Sequence, residues 1–130
     1  MKKFLLLSVF LGISLFAEKA DVIDAKIKKS YGGSYIAYVK IRHHDIDFND
    51  FVSEWQIFDQ NDTPISLRLE FGPRPGKEVI ESDLIGFKIP EGTTKLIFRA
   101  KCSKDGYGGK EFVLELPSAE GNTTSSDSGE

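Results

Sequence analysis

The chain has 130 residues, and its 17 basic and 20 acidic side chains leave a net charge of −3 at pH 7. This balance lacks the basic excess that binds nucleic acid or an anionic membrane, so neither is an expected partner. The single cysteine, Cys102, excludes an intramolecular disulfide, and the length suits one domain of ordinary size.

The N-terminal segment predicts export. Lys2 and Lys3 precede the almost unbroken apolar run of residues 4–16, and the small Ala17 follows. A charged start, a short apolar stretch and a small residue at the cleavage position are typical of a secretory signal peptide. The run is shorter than the about 20 residues that a membrane span needs. We expect cleavage after Ala17, a periplasmic or secreted product, and no membrane anchor in that product.

Three segments in the first half of the domain alternate between apolar and polar residues, which predicts β-strands. The first spans residues 23–28 and the second spans residues 35–42, with a Gly-Gly turn signal between them. The third contains Trp55 and ends at the turn-rich residues 59–64. No stretch of the domain shows a helical period.

Four more strands are predicted in the second half. Ile65, Leu67 and Leu69 alternate with polar residues, and we expect their side of the strand to face the core. Residues 72–76 contain two prolines, which cannot donate to a β-ladder, so they are predicted to form a loop. The remaining alternating segments are residues 85–89, 96–102 and 112–116.

Seven short strands with turn signals at near-regular spacing predict an all-β fold, an antiparallel β-sandwich of the immunoglobulin or fibronectin type III kind. The domain is expected to span residues 18–117. The serine-rich, acidic residues 118–130 contain no large apolar side chain and are expected to be disordered. Trp55 suits the core between two sheets. Cys102 continues the apolar side of its strand, which predicts a buried thiol rather than a reactive one.

In such a sandwich the loops after the second, fourth and sixth strands lie at the same end. They span residues 42–50, 72–83 and 103–110, and they hold most of the side chains that are able to bind a ligand. We expect this end to bind a protein or a small polar ligand. The candidate contact residues are Arg42, His43, Asp45, Arg74 and Tyr107. The alternative for Tyr107 is a structural role, as an aromatic that caps a glycine-rich hairpin turn.

The first of these loops supports a second hypothesis, a calcium site. Asp45, Asp47 and Asn49 have the spacing of the oxygen ligands that open an EF-hand loop. Asp50 stands where that loop needs a glycine, and no glutamate stands at its last position, so the site would be irregular. A surface role for these side chains is the alternative.

Enzymatic catalysis has no candidate residues in the sequence, and no cofactor is expected. The chain contains no Gly-x-Ser-x-Gly motif and no phosphate-binding loop. The two histidines, His43 and His44, would point to opposite faces of an extended segment, so a transition-metal site would be short of ligands. The sequence therefore favours non-catalytic binding first, metal binding second and an enzyme third.

Several short motifs are distributed along the chain: Arg42-His43-x-Asp45, Trp55, Ile89-Pro90-Glu91-Gly92, Arg99-Ala100, Gly106-Tyr107-Gly108-Gly109 and Leu116-Pro117. Together they resemble a family of small bacterial proteins without assigned function. The resemblance covers nearly all of residues 20–117 and implies a single fold, but it implies no activity. Family members often have His-Pro-His and an acidic residue after the fourth strand. This chain has Gly72-Pro73-Arg74 there, so a metal site built on those histidines is not expected.

Overall fold

The structure, a computed structural model, describes residues 19–117. Seven β-strands and one 3-10 turn, Tyr31–Gly33, lie in this region. The strands are β1 (Asp21–Lys29), β2 (Tyr35–Arg42), β3 (Val52–Phe58), β4 (Pro64–Leu69), β5 (Val79–Phe87), β6 (Lys95–Cys102) and β7 (Phe112–Glu115). The predicted signal peptide, residues 1–17, and the predicted disordered tail, residues 118–130, lie outside the described residues. No helix within residues 19–117 is long and apolar enough to cross a membrane.

The strands form two antiparallel sheets. One has three strands in the order β1-β2-β5, and the other has four in the order β4-β3-β6-β7. Successive side chains of a strand point to opposite sides of its sheet, so every second residue faces the other sheet. The predicted all-β sandwich of seven strands is confirmed.

The core lies between the two sheets. The four-stranded sheet contributes Trp55 and Phe98, whose rings are tilted with their centroids 6.3 Å apart. Apart from Phe87 at the end of β5, the buried residues of the three-stranded sheet are smaller: Val22, Ala25, Ala37, Val39, Ile41 and Ile80. Full burial of a large apolar side chain stabilises a fold by roughly 1.5–3 kcal/mol. Trp55 is fully buried, which confirms the expectation that it lies in the core.

Strand β4 follows its apolar pattern only at Ile65, which packs against the core. After a register shift near its start, the strand has the opposite orientation to the one that the pattern predicts. Leu67 and Leu69 are 44% and 52% exposed, whereas Glu70, just after the strand, is buried. Because side chains alternate, Arg68 also points inward, opposite Trp55. The expectation that the leucines face the core is wrong. The polar side chains take the inner positions because they find hydrogen-bond and ion-pair partners there.

Strand β5 begins at Val79, within the segment 72–83 that the sequence assigns to a loop. Glu81 and Asp83 face outward, opposite Lys40 and Tyr38 of β2, and Ser82 between them faces inward. A serine at an inner position interrupts the apolar alternation by which strands are predicted. The second of the three predicted loops is therefore shorter than expected.

Candidate functional site

The three loops between β2 and β3, β4 and β5, and β6 and β7 are joined by hydrogen bonds, and we call this part of the molecule the loop end. The Arg74 amide donates to Asp45 Oδ2 at 2.9 Å, which joins the first loop to the second. The Ser103 amide donates to the Phe51 carbonyl at 2.8 Å, and the Phe51 amide donates to Ser103 Oγ at 3.1 Å. The loops that the sequence predicts at one end are thus in direct contact there.

Asp45 connects these loops from a buried position. Its Oδ1 accepts from His43 Nδ1 at 2.8 Å and from the Val52 amide at 3.1 Å, while Oδ2 accepts from the Arg74 amide. The residue is 5% exposed. A buried carboxylate is costly unless donors surround it, and three donors do so here. Asp45 therefore organises the loop end rather than facing solvent as a ligand contact.

His43, Asp50 and Cys102 form a compact group beside Asp45, which we call the His-Asp-Cys cluster. One ligand atom from each lies within 4.8 Å of the other two. Cys102 Sγ donates to Asp50 Oδ1 at 3.1 Å, and His43 Nε2 lies 3.4 Å from the same oxygen. In the neutral imidazole whose Nδ1 donates to Asp45, the lone pair of Nε2 faces the cluster. That buried nitrogen has no hydrogen-bond partner within residues 19–117.

The Cys102 thiol is buried, as its position on β6 predicts. Burial raises the pKa of the thiol, and the hydrogen bond to Asp50 raises it further, against the lowering effect of backbone groups in the following turn. The thiol is therefore protonated at neutral pH and is a poor nucleophile. Cys102 and His43 also expose no side-chain surface to a substrate.

The three residues of the calcium hypothesis have separate environments. Asp45 is buried, whereas Asp47 and Asn49 lie in an exposed turn. Asp47 Oδ1 accepts the Asn49 amide at 2.9 Å, a local bond that shapes the turn. Both oxygens of Asp45 are already engaged by protein donors. The calcium site stays a prediction, and these contacts lend it no support.

Arg42 and Arg74 differ in exposure and in contacts. Arg42 ends β2 as an exposed residue paired with Val79. Arg74 donates from Nη2 to Glu70 Oε1 and from Nη1 to the Glu81 carbonyl, both at 2.7 Å. Its guanidinium therefore ties the second loop to strand β5.

Tyr107 is folded back onto the outer face of β3. Its hydroxyl lies 2.5 Å from Glu54 Oε2, to which it donates, and 3.1 Å from Gln56 Oε1. Burial of the hydroxyl raises the pKa of Tyr107 well above its ordinary value, and the bond to Glu54 adds to this. These contacts favour the structural alternative, in which Tyr107 caps its turn.

A second buried polar group, which the sequence does not predict, lies between the edges of β4 and β5. We call it the edge cluster: Trp55, Arg68, Glu70, Arg74 and Ser82. Trp55 Nε1 faces Ser82 Oγ at 2.9 Å and Glu70 Oε2 at 3.2 Å, and Ser82 also donates to Glu70. Arg68 Nε lies 3.5 Å from Glu70 Oε2. The only signal in the sequence is the polar half of the β4 alternation.

Exposed apolar side chains run from β4 onto the loop end, and we call them the apolar strip: Leu67, Leu69, Phe71, Phe48 and Ile46. Phe71 is 86% exposed and Phe48 is 68% exposed. The Phe48 ring lies beside Gly72, with Cζ 3.5 Å from where a Cβ of that glycine would stand. Phe48 thus lies beside Gly72 of the second loop, the residue that follows Phe71 in the chain, and both aromatic side chains are largely exposed.

A groove of about 820 Å³ is associated with the three-stranded sheet. Its lining combines Lys26, Lys28 and Lys40 with Asp24, Glu81 and Asp83, besides other residues of both sheets. Because both signs of charge line it, the groove indicates no charge class of ligand. Arg74 is the only one of the predicted contact residues that reaches it.

Comparison with protein families, with curated proteins and with solved structures gave no match for the chain. The resemblance to a family of small bacterial proteins therefore stays a prediction. Function has to be argued from the loop end, the apolar strip and the His-Asp-Cys cluster themselves.

Proposed function

We propose that this protein is an exported, non-catalytic binding domain that docks a partner protein on its apolar strip and the adjoining loop end. The observation that carries the proposal is the strip itself. Side chains such as Leu69 and Phe71 stay exposed, although the same segment of chain turns Arg68 and Glu70 inward. Contiguous exposed apolar surface on a soluble domain marks an interaction site.

The fold supports this proposal. The strands are ordered β1-β2-β5 and β4-β3-β6-β7, and we interpret this order as an immunoglobulin-like arrangement in which the fourth strand pairs with the third. Strand β4 is therefore an edge strand whose outer face carries Leu67 and Leu69. Binding residues on such domains lie on loops and edges that a rigid sandwich positions. The N-terminal sequence from Lys2 to Ala17 supports export to the periplasm or the exterior.

The chemistry of the strip favours a protein over the small polar ligand that the sequence also allows. Aromatic and leucine side chains bury apolar area against a partner, and aromatic residues are enriched at interface centres. The non-catalytic character is supported by the burial of His43 and Cys102, the two side chains best suited to nucleophilic chemistry.

A photo-crosslinking amino acid placed at position 71 tests the proposal in the cells that export the protein. A defined adduct should form there, and Leu69→Ser in the same chain should remove it. The matched control places the crosslinker at position 85, because Ile85 is 70% exposed but lies on the other sheet. Identical adducts from both positions, or none from position 71, would contradict docking on the strip.

A further inference from the structure

The His-Asp-Cys cluster contains the three kinds of donor atom by which proteins bind zinc: an imidazole nitrogen, a carboxylate oxygen and a cysteine sulfur. The distance from Asp50 Oδ1 to His43 Nε2 is 3.4 Å and to Cys102 Sγ is 3.1 Å. Tetrahedral bonds of about 2.0–2.3 Å separate neighbouring ligand atoms by roughly 3.3–3.8 Å. Two of the three spacings therefore lie close to this range, and the third, from His43 Nε2 to Cys102 Sγ, is no more than 4.8 Å.

His43 provides a second, independent observation. Its side chain is fully buried, and Nε2 points at the cluster without a hydrogen-bond partner within residues 19–117. A buried polar atom left in this way usually costs about 1–3 kcal/mol. Coordination to a cation would remove that cost, because the free lone pair is the atom that binds metal.

Asp45 holds the imidazole in the orientation that coordination needs. Its Oδ1 lies 2.8 Å from His43 Nδ1, and in the neutral imidazole a proton on Nδ1 leaves the Nε2 lone pair free to coordinate. A carboxylate behind a coordinating histidine is the usual arrangement in metal sites, where it fixes the tautomer and strengthens the ligand. Asp45 would thus act as a positioning residue for His43, and this role accounts for its burial beside the His-Asp-Cys cluster.

Charge and access both suit a divalent cation. The Asp50 carboxylate and the Cys102 thiolate would supply two negative charges, with the thiol proton released to solvent on binding. His43 and Cys102 are closed to solvent, while the Asp50 side chain is 14% exposed. An ion can therefore enter on the Asp50 side, where a fourth ligand such as water completes the coordination.

We propose that His43, Asp50 and Cys102 bind one divalent cation of the zinc class. The site is distinct from the calcium hypothesis, since Asp47 and Asn49 take no part in it. The sequence suggests a shortage of ligands for a transition metal, but folding brings Cys102 on β6 next to a loop 52 residues earlier in the chain. The proposal is independent of the apolar strip, so either can fail without the other.

Cobalt(II) is the probe of choice, because a thiolate-to-cobalt charge-transfer band reports sulfur coordination directly. The purified, reduced protein should bind one Co²⁺ per chain, show this band, and lose it when one equivalent of Zn²⁺ is added. Cys102→Ser should remove the band. Asp50→Asn should weaken Zn²⁺ binding at least about 10-fold. Asp47→Asn is the matched control, because Asp47 is exposed in the same loop, and it should bind as the parent does.

Folding of each variant is checked by circular dichroism without metal. Asp50→Asn keeps the result decisive if Cys102→Ser does not fold, since Asp50 is partly exposed and the change keeps its shape. A cobalt complex without the charge-transfer band would overturn the proposal. So would equal Zn²⁺ affinity in the parent, Asp50→Asn and Cys102→Ser, which would place the ion elsewhere. Zn²⁺ should raise the melting temperature of the parent, and no rise would also overturn it.

Discussion

The edge cluster and the His-Asp-Cys cluster are both buried polar groups at the margins of one core, but they differ in their balance of charge. In the edge cluster, Glu70 faces two arginines, Arg68 and Arg74, together with donors from Trp55 and Ser82. Its one buried side-chain atom without a hydrogen-bond partner among residues 19–117 is Arg68 Nε, a donor that lies 3.5 Å from the Glu70 carboxylate. The single carboxylate there has two cations of the chain as partners.

The His-Asp-Cys cluster instead has acceptors facing one another. The buried atom without a hydrogen-bond partner among residues 19–117 is His43 Nε2, which lies 3.4 Å from an Asp50 oxygen; in the neutral ring it is an acceptor. The comparison teaches that a buried carboxylate can stabilise in two ways. Glu70 pairs with two cations of the chain itself, Arg68 and Arg74. In our proposal, Asp50 instead pairs with a cation that binds from solvent.

The largest expected effect separates the two carboxylates that are most buried. Asp45→Ala should lower the free energy of unfolding by about 3–5 kcal/mol, because it leaves His43 and two backbone amides without an acceptor. Glu70→Ala should cost less, about 1–3 kcal/mol, because Arg68 and Arg74 are a third exposed and can turn to water. Urea unfolding measures both. An equal or larger loss for Glu70→Ala would reverse the comparison.

A glycine tests how far the loop end depends on the third loop. A Cβ at Gly109 would lie 2.1 Å from the Ala20 carbonyl oxygen, which is rigid backbone. Gly109→Ala should therefore cost about 2–3 kcal/mol through overpacking. Gly72→Ala is the control, because its Cβ would meet only Phe48 at an ordinary contact distance. Similar stability for the two variants would show that the third loop moves freely.

The substitution Trp55→Phe tests how much the indole Nε1 donor contributes to the stability of the edge cluster. The change removes the Nε1 donor but leaves Glu70 with Ser82 and the arginines, so the polar group stays satisfied. We expect a loss of about 1–2 kcal/mol, from the smaller ring. Thermal unfolding measures it, and Ser82→Ala in the same background should add little. A loss as large as that of Asp45→Ala would mean that the indole donor itself carries the cluster.

The smallest effect is expected at Tyr107, whose bond to Glu54 is half-exposed. Tyr107→Phe should cost about 1 kcal/mol at neutral pH. Because the folded-state pKa of Tyr107 is raised, the unfolded chain loses its tyrosine proton first, near pH 10. The stability of the parent should therefore fall as the pH rises past about 10, and that of Tyr107→Phe should fall less. Parallel curves for the two proteins would contradict the buried hydroxyl.

The sequence predicts the fold well where one side of a strand is apolar and the other polar. Leu96, Phe98 and Cys102 of β6 are buried as their alternation indicates. The same rule fails for β4, because alternation shows that two faces differ and not which face meets the core. On β4, the face that turns inward is the one on which Glu70 finds its partners, Trp55 of β3 and Ser82 of β5. Those partners are distant in the chain, so the local pattern of β4 cannot indicate them.

The candidate site is likewise predictable from the sequence only in part. The meeting of the three loops follows from strand order, and His43 and Asp45 are named correctly as residues of the loop end. Their chemistry is not predictable, because it depends on Cys102, which reads as a plain core residue of a strand. In the sequence, Asp50 is identified only as the residue that occupies the glycine position of a calcium-binding loop. Distances between residues this far apart in the chain exist only after the sheets have packed.

Asp45 also has a consequence for the motions of the native state. Its carboxylate holds the amide protons of Val52 and Arg74, which lie on different sides of strand β4 in the chain. A single displacement of that side chain would release both amides to solvent at once. In hydrogen exchange the two should therefore become labelled together as one opening unit, although 22 residues separate them. We therefore expect the loop end to open as one cooperative unit, while the hydrogen-bonded strands of the two sheets remain paired.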